Sequence, residues 1–167
     1  MNGTPFSLRL YALTTGALSP FAPSLLQGRV RGGKEDEARL GERLGRSAAP
    51  HPGRPVAWLH GASVGEALSL LPLIERLATE RPDLAVLATS GTRTSAELMA
   101  KRLPADAIHQ YVPIDTPAAT RAFLDHWRPV LGVFVESELW PNLLLGARRR
   151  GTRLALLSAR LSEKSRR

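Results

Sequence analysis

The sequence predicts an α/β fold with a parallel, Rossmann-like sheet flanked by helices. From residue 55 onward, short apolar runs alternate with segments in which apolar residues recur at helical spacing. Each interval between two apolar runs is long enough for a helix, and helical crossovers of this kind connect parallel strands. The predicted strands cover residues 55–59, 84–89, 108–112, 130–135 and 153–157.

Helices fill the intervals between these strands. Apolar spacing places them over residues 66–79, 95–102 and 143–150, and a fourth helix begins near Pro117. Gly151 follows the last helix and suits its C-terminal cap. Pro72 fits poorly, because a proline inside a helix removes a hydrogen bond and should kink or restart the helix.

The composition indicates one globular domain with anionic partners. A chain of 167 residues, 43% hydrophobic and 23% charged, can bury a core of its own. It contains no cysteine, which excludes disulfides and thiolate metal sites. The four histidines lack metal-ligand spacing, and His51, His60 and His126 are interpreted as core or surface residues. The net charge of +8 favours nucleic acid, anionic lipid or a phosphorylated substrate, without choosing among them.

The amino-terminal segment differs from the rest of the chain. Residues 8–26 are mostly apolar, but Arg9, Pro20 and Pro23 interrupt them, so the uninterrupted apolar stretch that a spanning helix needs is missing. Residues 1–7 contain no Lys or Arg, which argues against a secretory signal. We therefore expect an interfacial or docking segment.

Six cations follow this apolar segment, and two interpretations stay open for them. They are Arg29, Arg31, Lys34, Arg39, Arg43 and Arg46. Cations behind an apolar segment are attracted to an anionic membrane face, but a solvated amphipathic linker has the same charge pattern. A linker rich in Pro and Gly follows at residues 47–54. The expected division is a membrane-associating segment and linker over residues 1–54 and a Rossmann-like domain over residues 55–167.

The loop after the first predicted strand organises the site. In a parallel sheet such a loop lies at the carboxyl edge, where ligands bind. Gly61 and Gly65 allow a sharp turn and leave room for a ligand. Glu66 follows in the first turn of the helix, where a carboxylate is favoured by the helix dipole. Glu66 is therefore either an ordinary helix-start carboxylate or a general base.

The later loops supply further candidates. Ser90 and Thr92 follow the second strand, where they can cap a helix or bind a phosphate or carboxylate. Asp115 is expected to cap the helix that begins near Pro117. Glu136 and Glu138 follow the fourth strand, and two carboxylates at a buried sheet edge are costly unless they are paired, hydrogen-bonded or ligand-bound.

Four motifs together resemble a known enzyme family. They are HGASVGE at residues 60–66, HQYVPID at residues 109–115, ESELWPN at residues 136–142 and SARLS at residues 158–162. Their order and spacing resemble the amino-terminal half of 3-deoxy-D-manno-octulosonic acid (Kdo) transferases over about residues 10–165. Ser158 stands where the family usually has Asn.

The resemblance implies a fold and a reaction. These enzymes transfer Kdo from CMP-Kdo to a lipid A precursor and have two Rossmann-like domains in the GT-B arrangement. The first domain receives the lipid acceptor, and the second holds most of the CMP-sugar contacts. The chain is therefore expected to be the first, acceptor-binding domain, with the second, donor-binding domain absent.

The resemblance also implies roles for individual residues. Glu66 corresponds to the proposed general base of an inverting reaction, and Glu136 or Glu138 to a second essential carboxylate. The implied substrate-binding residues are Ser63, Gly65, Ser90, Thr92, Asn142 and Arg160. The family implies no metal and no cofactor.

The implied partners explain the positive charge. A phosphorylated lipid acceptor in an anionic membrane suits a basic chain at the cytoplasmic face of the inner membrane, attached peripherally or by its amino terminus. Nucleic acid is not expected, because no recognition motif is visible and aromatic residues make up only 5% of the chain. The alternative is a non-catalytic lipid- or membrane-binding module left by truncation of such an enzyme.

Overall fold

Five strands form one sheet in a computed structural model that describes residues 5–135 and 140–157. They are β1 (Val56–Gly61), β2 (Ala85–Ser90), β3 (Ile108–Tyr111), β4 (Pro129–Val135) and β5 (Arg153–Leu157). Their order is β3-β2-β1-β4-β5, and every neighbouring pair is parallel. The predicted α/β class is confirmed. The strand order reverses between β1 and β4, whose carboxyl ends are the usual ligand-binding place in such sheets.

The helices are longer at their starts than the sequence predicts. They are α1 (Phe6–Leu18), α2 (Ala22–Arg31), α3 (Leu40–Arg43), α4 (Val64–Glu80), α5 (Arg93–Arg102), α6 (Pro117–Trp127) and α7 (Pro141–Arg149), with 3₁₀ turns at Ser19–Phe21 and Glu37–Arg39. Three of them begin before the predicted positions 66, 95 and 143. Their first turns contain residues that are common in loops, so the apolar spacing from which the helices were predicted begins only after these turns.

Both faces of the central strand β1 are buried. On one face, Trp58 packs against Phe123 and Phe134, with ring centroids 5.1 Å and 4.8 Å away. On the other face, Leu59 belongs to a second apolar cluster that includes Leu70 of α4. Because all of β1 is buried, the loop at its carboxyl end is presented from a rigid support.

Helix α4 continues through Pro72, so the predicted restart is wrong, and the alternative, a kink, stays a prediction. Pro72 lies on the exposed side, whereas Leu71 and Ile74 belong to the core. The carbonyl that loses its hydrogen-bond donor is that of Leu68, which is also exposed and can bond to water. Burial of the apolar face therefore keeps α4 continuous across the proline.

Helices α1 and α2 present an apolar surface to solvent. No residue of α1 is buried, and Phe6, Leu13 and Phe21 are 79%, 72% and 63% exposed. Helix α2 contributes Ala22 and Leu26 to the buried interior. Within the described residues, no helix combines the length and apolar character needed to cross a membrane. Attachment of this surface to a membrane stays a prediction.

The basic stretch behind α2 is folded onto the sheet. Glu42 Oε2 accepts a hydrogen bond from the Tyr111 amide at 2.7 Å, and the Arg43 carbonyl accepts one from the Ile114 amide at 2.9 Å. These bonds satisfy amides at and just beyond the edge strand β3. Arg39 and Arg43 each lie 4.6 Å from the centre of the Tyr111 ring. Arg43 is buried, so neither a membrane-facing charge nor a solvated linker describes it.

Candidate active site

Glu66 lies in the β1–α4 junction, defined as residues 60–66. Ser63 is the N-cap of α4, and its hydroxyl oxygen accepts a hydrogen bond from the Glu66 amide at 3.3 Å. The Glu66 carboxylate reaches back over the helix start. Its Oε1 accepts from Ser63 Oγ and its Oε2 from the Ala62 amide, both at 2.8 Å. The predicted position in the first turn is confirmed, and two donors hold the carboxylate in one orientation.

A carboxylate held in this way can accept a proton from a hydroxyl group placed beside it. Glu66 is half-buried and its neighbour Gly65 is exposed. A Cβ atom added at Gly65 would have no heavy atom within 4 Å. Among the described residues, the space around Gly65, the chain neighbour of Glu66, is therefore open, while contact of Gly65 or Ser63 with a substrate stays a prediction.

The second junction, β2–α5, is defined as residues 90–95 and is closed by its own side chains. Thr92 Oγ1 accepts from the Ser95 amide at 3.1 Å, and Ser95 Oγ accepts from the Thr92 amide at 3.1 Å. This reciprocal pair is a capping box. The capping interpretation of Thr92 is confirmed, and its role in substrate binding stays a prediction.

The two junctions are in direct backbone contact. The Gly91 amide donates to the Ala62 carbonyl at 3.1 Å. A Cβ atom at Gly91 would lie 2.8 Å from that carbonyl oxygen, and one at Gly61 would lie 2.8 Å from the Ala67 amide nitrogen. Only glycine permits either approach, so Gly61 and Gly91 set the spacing of the sheet edge.

His60, the first residue of the β1–α4 junction, is buried. Its Nδ1 lies 2.9 Å from Thr89 Oγ1, which also accepts from Trp58 Nε1 at 2.8 Å. Its Nε2 has no hydrogen-bond partner among the described residues. Burial lowers the pKa of His60 to about 4, although the nearby Glu66 carboxylate and a hydrogen bond with Thr89 oppose this effect. The core interpretation of His60 is confirmed, but one ring nitrogen is left without a partner.

His109 supports the β2–α5 junction from β3. Arg39 Nη2 donates to His109 Nδ1 at 3.0 Å, since an arginine cannot accept. The opposite nitrogen, Nε2, lies 2.9 Å from Ser90 Oγ. Burial and the charges of Arg39 and Arg43 lower the pKa of His109 to about 3. The Ser90 hydroxyl is thus occupied by a neutral histidine, and substrate binding by Ser90 stays a prediction.

Sequence reasoning missed a buried ion pair next to these junctions. Glu35 accepts from Arg43 Nε at 2.8 Å, and its other oxygen accepts from Arg29 Nε at 2.8 Å. Arg43 Nη1 donates to the Val112 carbonyl at 3.1 Å, and Nη2 donates to the Gly91 carbonyl at 2.5 Å. Both members of the Glu35–Arg43 pair are buried. An acidic residue within a basic stretch was the only available signal, and it does not reveal a partner eight residues away.

Asp115 caps α7 rather than α6, which corrects the prediction. Its carboxylate accepts from the Asn142 amide at 3.0 Å and the Leu143 amide at 2.9 Å, whereas Thr116 caps α6. Burial raises the pKa of Asp115, although these hydrogen bonds oppose the shift. Burial, together with the charge of Asp115 and a hydrogen bond to it, raises the pKa of Tyr11 to about 12.

Asn142 joins α7 to the amino-terminal helices. Its Nδ2 donates to Thr15 Oγ1 at 2.9 Å and to the Asp115 carbonyl at 2.6 Å. The side-chain amide nitrogen is therefore engaged by α1 and by the loop after β3. Binding of a substrate by Asn142 stays a prediction.

A groove of about 600 Å³ lies between the α1–α2 pair and the carboxyl edge of the sheet. Its helical wall is largely apolar and includes Leu18, Leu25 and Leu26. Its sheet-side wall is formed by the two junctions and the loop after β3, including Ala62, Thr92 and Asp115. Glu66 does not line the groove itself, but its hydrogen-bond partner Ala62 does.

A larger cavity of about 840 Å³ lies elsewhere, where β4 and β5 begin. Its lining includes Arg81, Arg128, Arg150 and Arg153. Arg81 and Arg150 are paired with aspartates, and none of the predicted site residues that the structure describes lines this cavity. The groove at the carboxyl edge is therefore the candidate site.

Three predicted site residues, Glu136, Glu138 and Arg160, lie outside the described residues. Over residues 5–135 and 140–157, no three His, Asp or Glu side chains converge as metal ligands would. The described part of the site therefore consists of Glu66, its two donors and the groove beside them.

Comparison with known proteins identifies the family. Residues 38–167 match the family described as 3-deoxy-D-manno-octulosonic-acid transferase (kdotransferase). This chain belongs to the Kdo transferase family. The resemblance of its four motifs is thereby confirmed, and the β1–α4 junction with Glu66 lies within the matched range.

Named Kdo transferases align with most of the chain. A probable mitochondrial enzyme of Arabidopsis thaliana is 37% identical over 160 residues, which is 96% of this chain and 36% of the relative. The enzyme of Rickettsia bellii is 38% identical over 158 residues, 95% of this chain and 38% of the relative. The enzyme of Bordetella pertussis is 37% identical over 165 residues, 93% of this chain and 38% of the relative. The chain thus spans a little over a third of the length of these relatives.

Proposed function

We propose that this chain is the acceptor-binding part of a glycosyltransferase that transfers Kdo from CMP-Kdo to a lipid A precursor in lipopolysaccharide biosynthesis. The observation that supports the acceptor assignment best is the position of the groove. Apolar side chains of α1 and α2 form one wall, and the oriented Glu66 carboxylate lies behind Ala62 at the other. This arrangement suits an amphiphilic acceptor whose acyl chains contact the helices and whose sugar hydroxyl approaches Glu66.

Glu66 is the general base of the proposed reaction. It takes the proton of the acceptor hydroxyl while that oxygen bonds to the anomeric carbon of Kdo. The bond from this carbon to CMP breaks at the same time, on the opposite side, so the anomeric configuration inverts. Glu136 or Glu138 supplies the second carboxylate, and the proposed reaction uses no metal or cofactor.

The proposed location is the cytoplasmic face of the inner membrane. The exposed apolar residues of α1 and the turn after it, including Phe6, Leu13 and Phe21, would enter the lipid surface. Arg31 ends α2 and Lys34 follows it, and both are exposed, so they are available to anionic headgroups. Sedimentation with vesicles of 30% anionic lipid tests this location, with a form lacking residues 1–28 as the comparison. Equal binding of both forms would contradict it.

A chimera tests the reaction. In this chimera the chain replaces the matching part of the Bordetella pertussis relative, and labelled CMP-Kdo and a lipid A precursor serve as substrates. We expect labelled lipid from the chimera and little or none from the 167-residue chain alone. A folded chimera without transfer activity would contradict the proposal.

The exposed apolar surface of α1 and α2 also supports a second candidate, a non-catalytic membrane-binding module. That reading predicts vesicle binding by the chain together with an inactive chimera. The two assays therefore separate the candidates.

A further inference from the structure

A continuous series of hydrogen bonds leads from a buried cation to the candidate base. Arg43 Nη2 donates to the Gly91 carbonyl at 2.5 Å. The Gly91 amide donates to the Ala62 carbonyl at 3.1 Å, and the Ala62 amide donates to Glu66 Oε2 at 2.8 Å. The first two links cross from α3 to the β2–α5 junction and from there to the β1–α4 junction, and the third lies within the β1–α4 junction.

The first two links in this series are tightly constrained. Arg43 is 5% exposed, and Glu35 and the Val112 carbonyl hold the rest of its guanidinium. A Cβ atom at Gly91 would collide with the Ala62 carbonyl oxygen, so the second link depends on glycine. Displacement of the Gly91 carbonyl therefore shifts Ala62, and with it the amide that orients the Glu66 carboxylate.

We propose that Arg43 is a positioning residue for Glu66 and acts through the backbones of Gly91 and Ala62. The inference rests on the proposed function, because Glu66 is the base only in that reaction. The planar fork of an arginine can bond a carboxylate and two carbonyl groups at once, which a lysine ammonium on a flexible stem does less well. The role of Arg43 is therefore geometric as well as electrostatic.

Arg39 is the matched control. It belongs to the same stretch, lies at the same 4.6 Å from the Tyr111 ring centre and forms its own ion pair with Glu42 at 2.8 Å. Its other hydrogen bonds go to His109, not to either junction. Loss of Arg39 thus perturbs the same face of the protein and reaches the β2–α5 junction only indirectly, through His109 and the Ser90 side chain, whereas Arg43 bonds directly to the Gly91 carbonyl.

The test uses NMR spectroscopy on the 167-residue chain and needs no transfer assay. The Ala62 amide reports its bond to Glu66 in two ways, by its hydrogen-exchange rate and by its proton chemical shift, both measured at pH 7. In Arg43→Gln we expect exchange of the Ala62 and Gly91 amides to become about tenfold faster, as the loss of a charge-assisted hydrogen bond predicts. The proton chemical shift of the Ala62 amide should move upfield as well, because its hydrogen bond to the Glu66 carboxylate weakens.

Two further variants make the test decisive. Arg43→Lys keeps the positive charge, so we expect this variant to fold. Exchange of the Ala62 amide should nevertheless become faster, because a lysine cannot hold three acceptors in fixed positions. Arg39→Gln should change both readouts of Ala62 much less than Arg43→Gln does, because it reaches the β2–α5 junction only through His109 and Ser90. A folded Arg43 variant with unchanged Ala62 exchange and chemical shift overturns the proposal, and so does an equal change in Arg39→Gln. An inactive chimera would instead count against the proposed reaction and leave these readouts unaffected.

Discussion

The two junctions at the carboxyl edge of the sheet have the same plan and different chemistry. In each, a hydroxyl side chain caps a helix and pairs with a residue three positions later, Ser63 with Glu66 and Thr92 with Ser95. The Thr92–Ser95 pair is neutral, and Ser95 is buried. The Ser63–Glu66 pair is partly exposed and contains a carboxylate, and Gly65 between the two residues is also exposed.

This difference shows how a structural cap and a reactive group can share one position. A capping box needs only hydrogen bonds between near neighbours, and the β2–α5 junction is complete with them. At the β1–α4 junction the second partner is an acid, whose oxygens are held by Ser63 Oγ and the Ala62 amide. The same bonds that complete the cap orient a group able to accept a proton. Variants at and beside the two junctions test whether this contrast is functional.

The largest expected effect is that of Glu66→Gln on transfer by the chimera. General-base assistance contributes typically about 10²–10⁴-fold, so turnover should fall by that factor. Glutamine keeps the size and an acceptor oxygen, and loss of a charge near a helix start costs only about 0.3–1 kcal/mol of stability. Turnover and melting temperature are measured together. A lower melting temperature with normal turnover would make Glu66 a cap like Thr92 and end the contrast.

A second effect concerns the histidines beside the two junctions. Folding lowers the pKa of His60 to about 4 and that of His109 to about 3. The unfolded chain therefore takes up protons first, and stability is lost as pH falls from about 6.5 toward these values. Between pH 7 and pH 5 the expected loss is about 2 kcal/mol for His60, at about 1.4 kcal/mol per pH unit. Asp115, whose pKa is raised by burial, acts in the opposite direction.

Urea unfolding at pH 7 and pH 5 measures this loss. The variant His60→Gln should lose the share of the pH dependence that belongs to His60, whatever its absolute stability. Because the Nε2 atom of His60 has no partner among the described residues while His109 is bonded at both nitrogens, the two sites test different environments. An unchanged pH dependence in His60→Gln would show that His60 is not held neutral.

Several features that depend on local sequence were predicted correctly. The alternation of apolar runs predicts the five-stranded parallel sheet, and the Gly-containing loop after residues 55–59 predicts Glu66 in a first turn. The capping role of Thr92 follows from its place before a helical pattern. Each of these inferences depends on neighbours within a few positions, where backbone preferences act.

The parts that sequence reasoning missed depend on distant contacts. Arg43 bonds to Gly91, 48 positions later, and to Val112, 69 positions later. Asp115 caps a helix that begins more than 25 residues after it. A charge pattern cannot distinguish a cation that faces lipid from one that is paired inside the protein. For this reason the basic stretch suggested a membrane contact or a linker, whereas Arg43 is buried against the site.

A smaller effect distinguishes the two caps themselves. Loss of a hydroxyl N-cap costs typically about 1 kcal/mol, so Thr92→Ala should lower the free energy of unfolding by about that amount. Ser63→Ala should cost less, because its bond to the Glu66 amide is longer, at 3.3 Å, and exposed. It should nevertheless reduce turnover of the chimera, since Ser63 Oγ holds one carboxylate oxygen. Equal effects of both variants on stability and on turnover would contradict the contrast.

The smallest expected effect on stability is a gain, at Gly65. A glycine inside a helix costs roughly 0.5–1 kcal/mol relative to alanine, and a Cβ atom at Gly65 meets no atom within 4 Å. Gly65→Ala should therefore raise the free energy of unfolding by about that amount. Gly28→Ala in α2 is the matched control, because a Cβ atom there also meets nothing.

These two glycine variants show whether the space at Gly65 is used by a substrate or simply accommodates an added methyl group. If an acceptor approaches Glu66 across Gly65, the added methyl group occupies its path. Gly65→Ala should then raise KM for the lipid acceptor in the chimera while the protein becomes more stable, whereas Gly28→Ala should change stability alone. A higher KM could not then be attributed to loss of stability, because the free energy of unfolding is expected to rise. Unchanged KM in a stabilised Gly65→Ala chimera would remove Gly65 from the substrate-binding residues and leave the open space around Gly65 without a ligand.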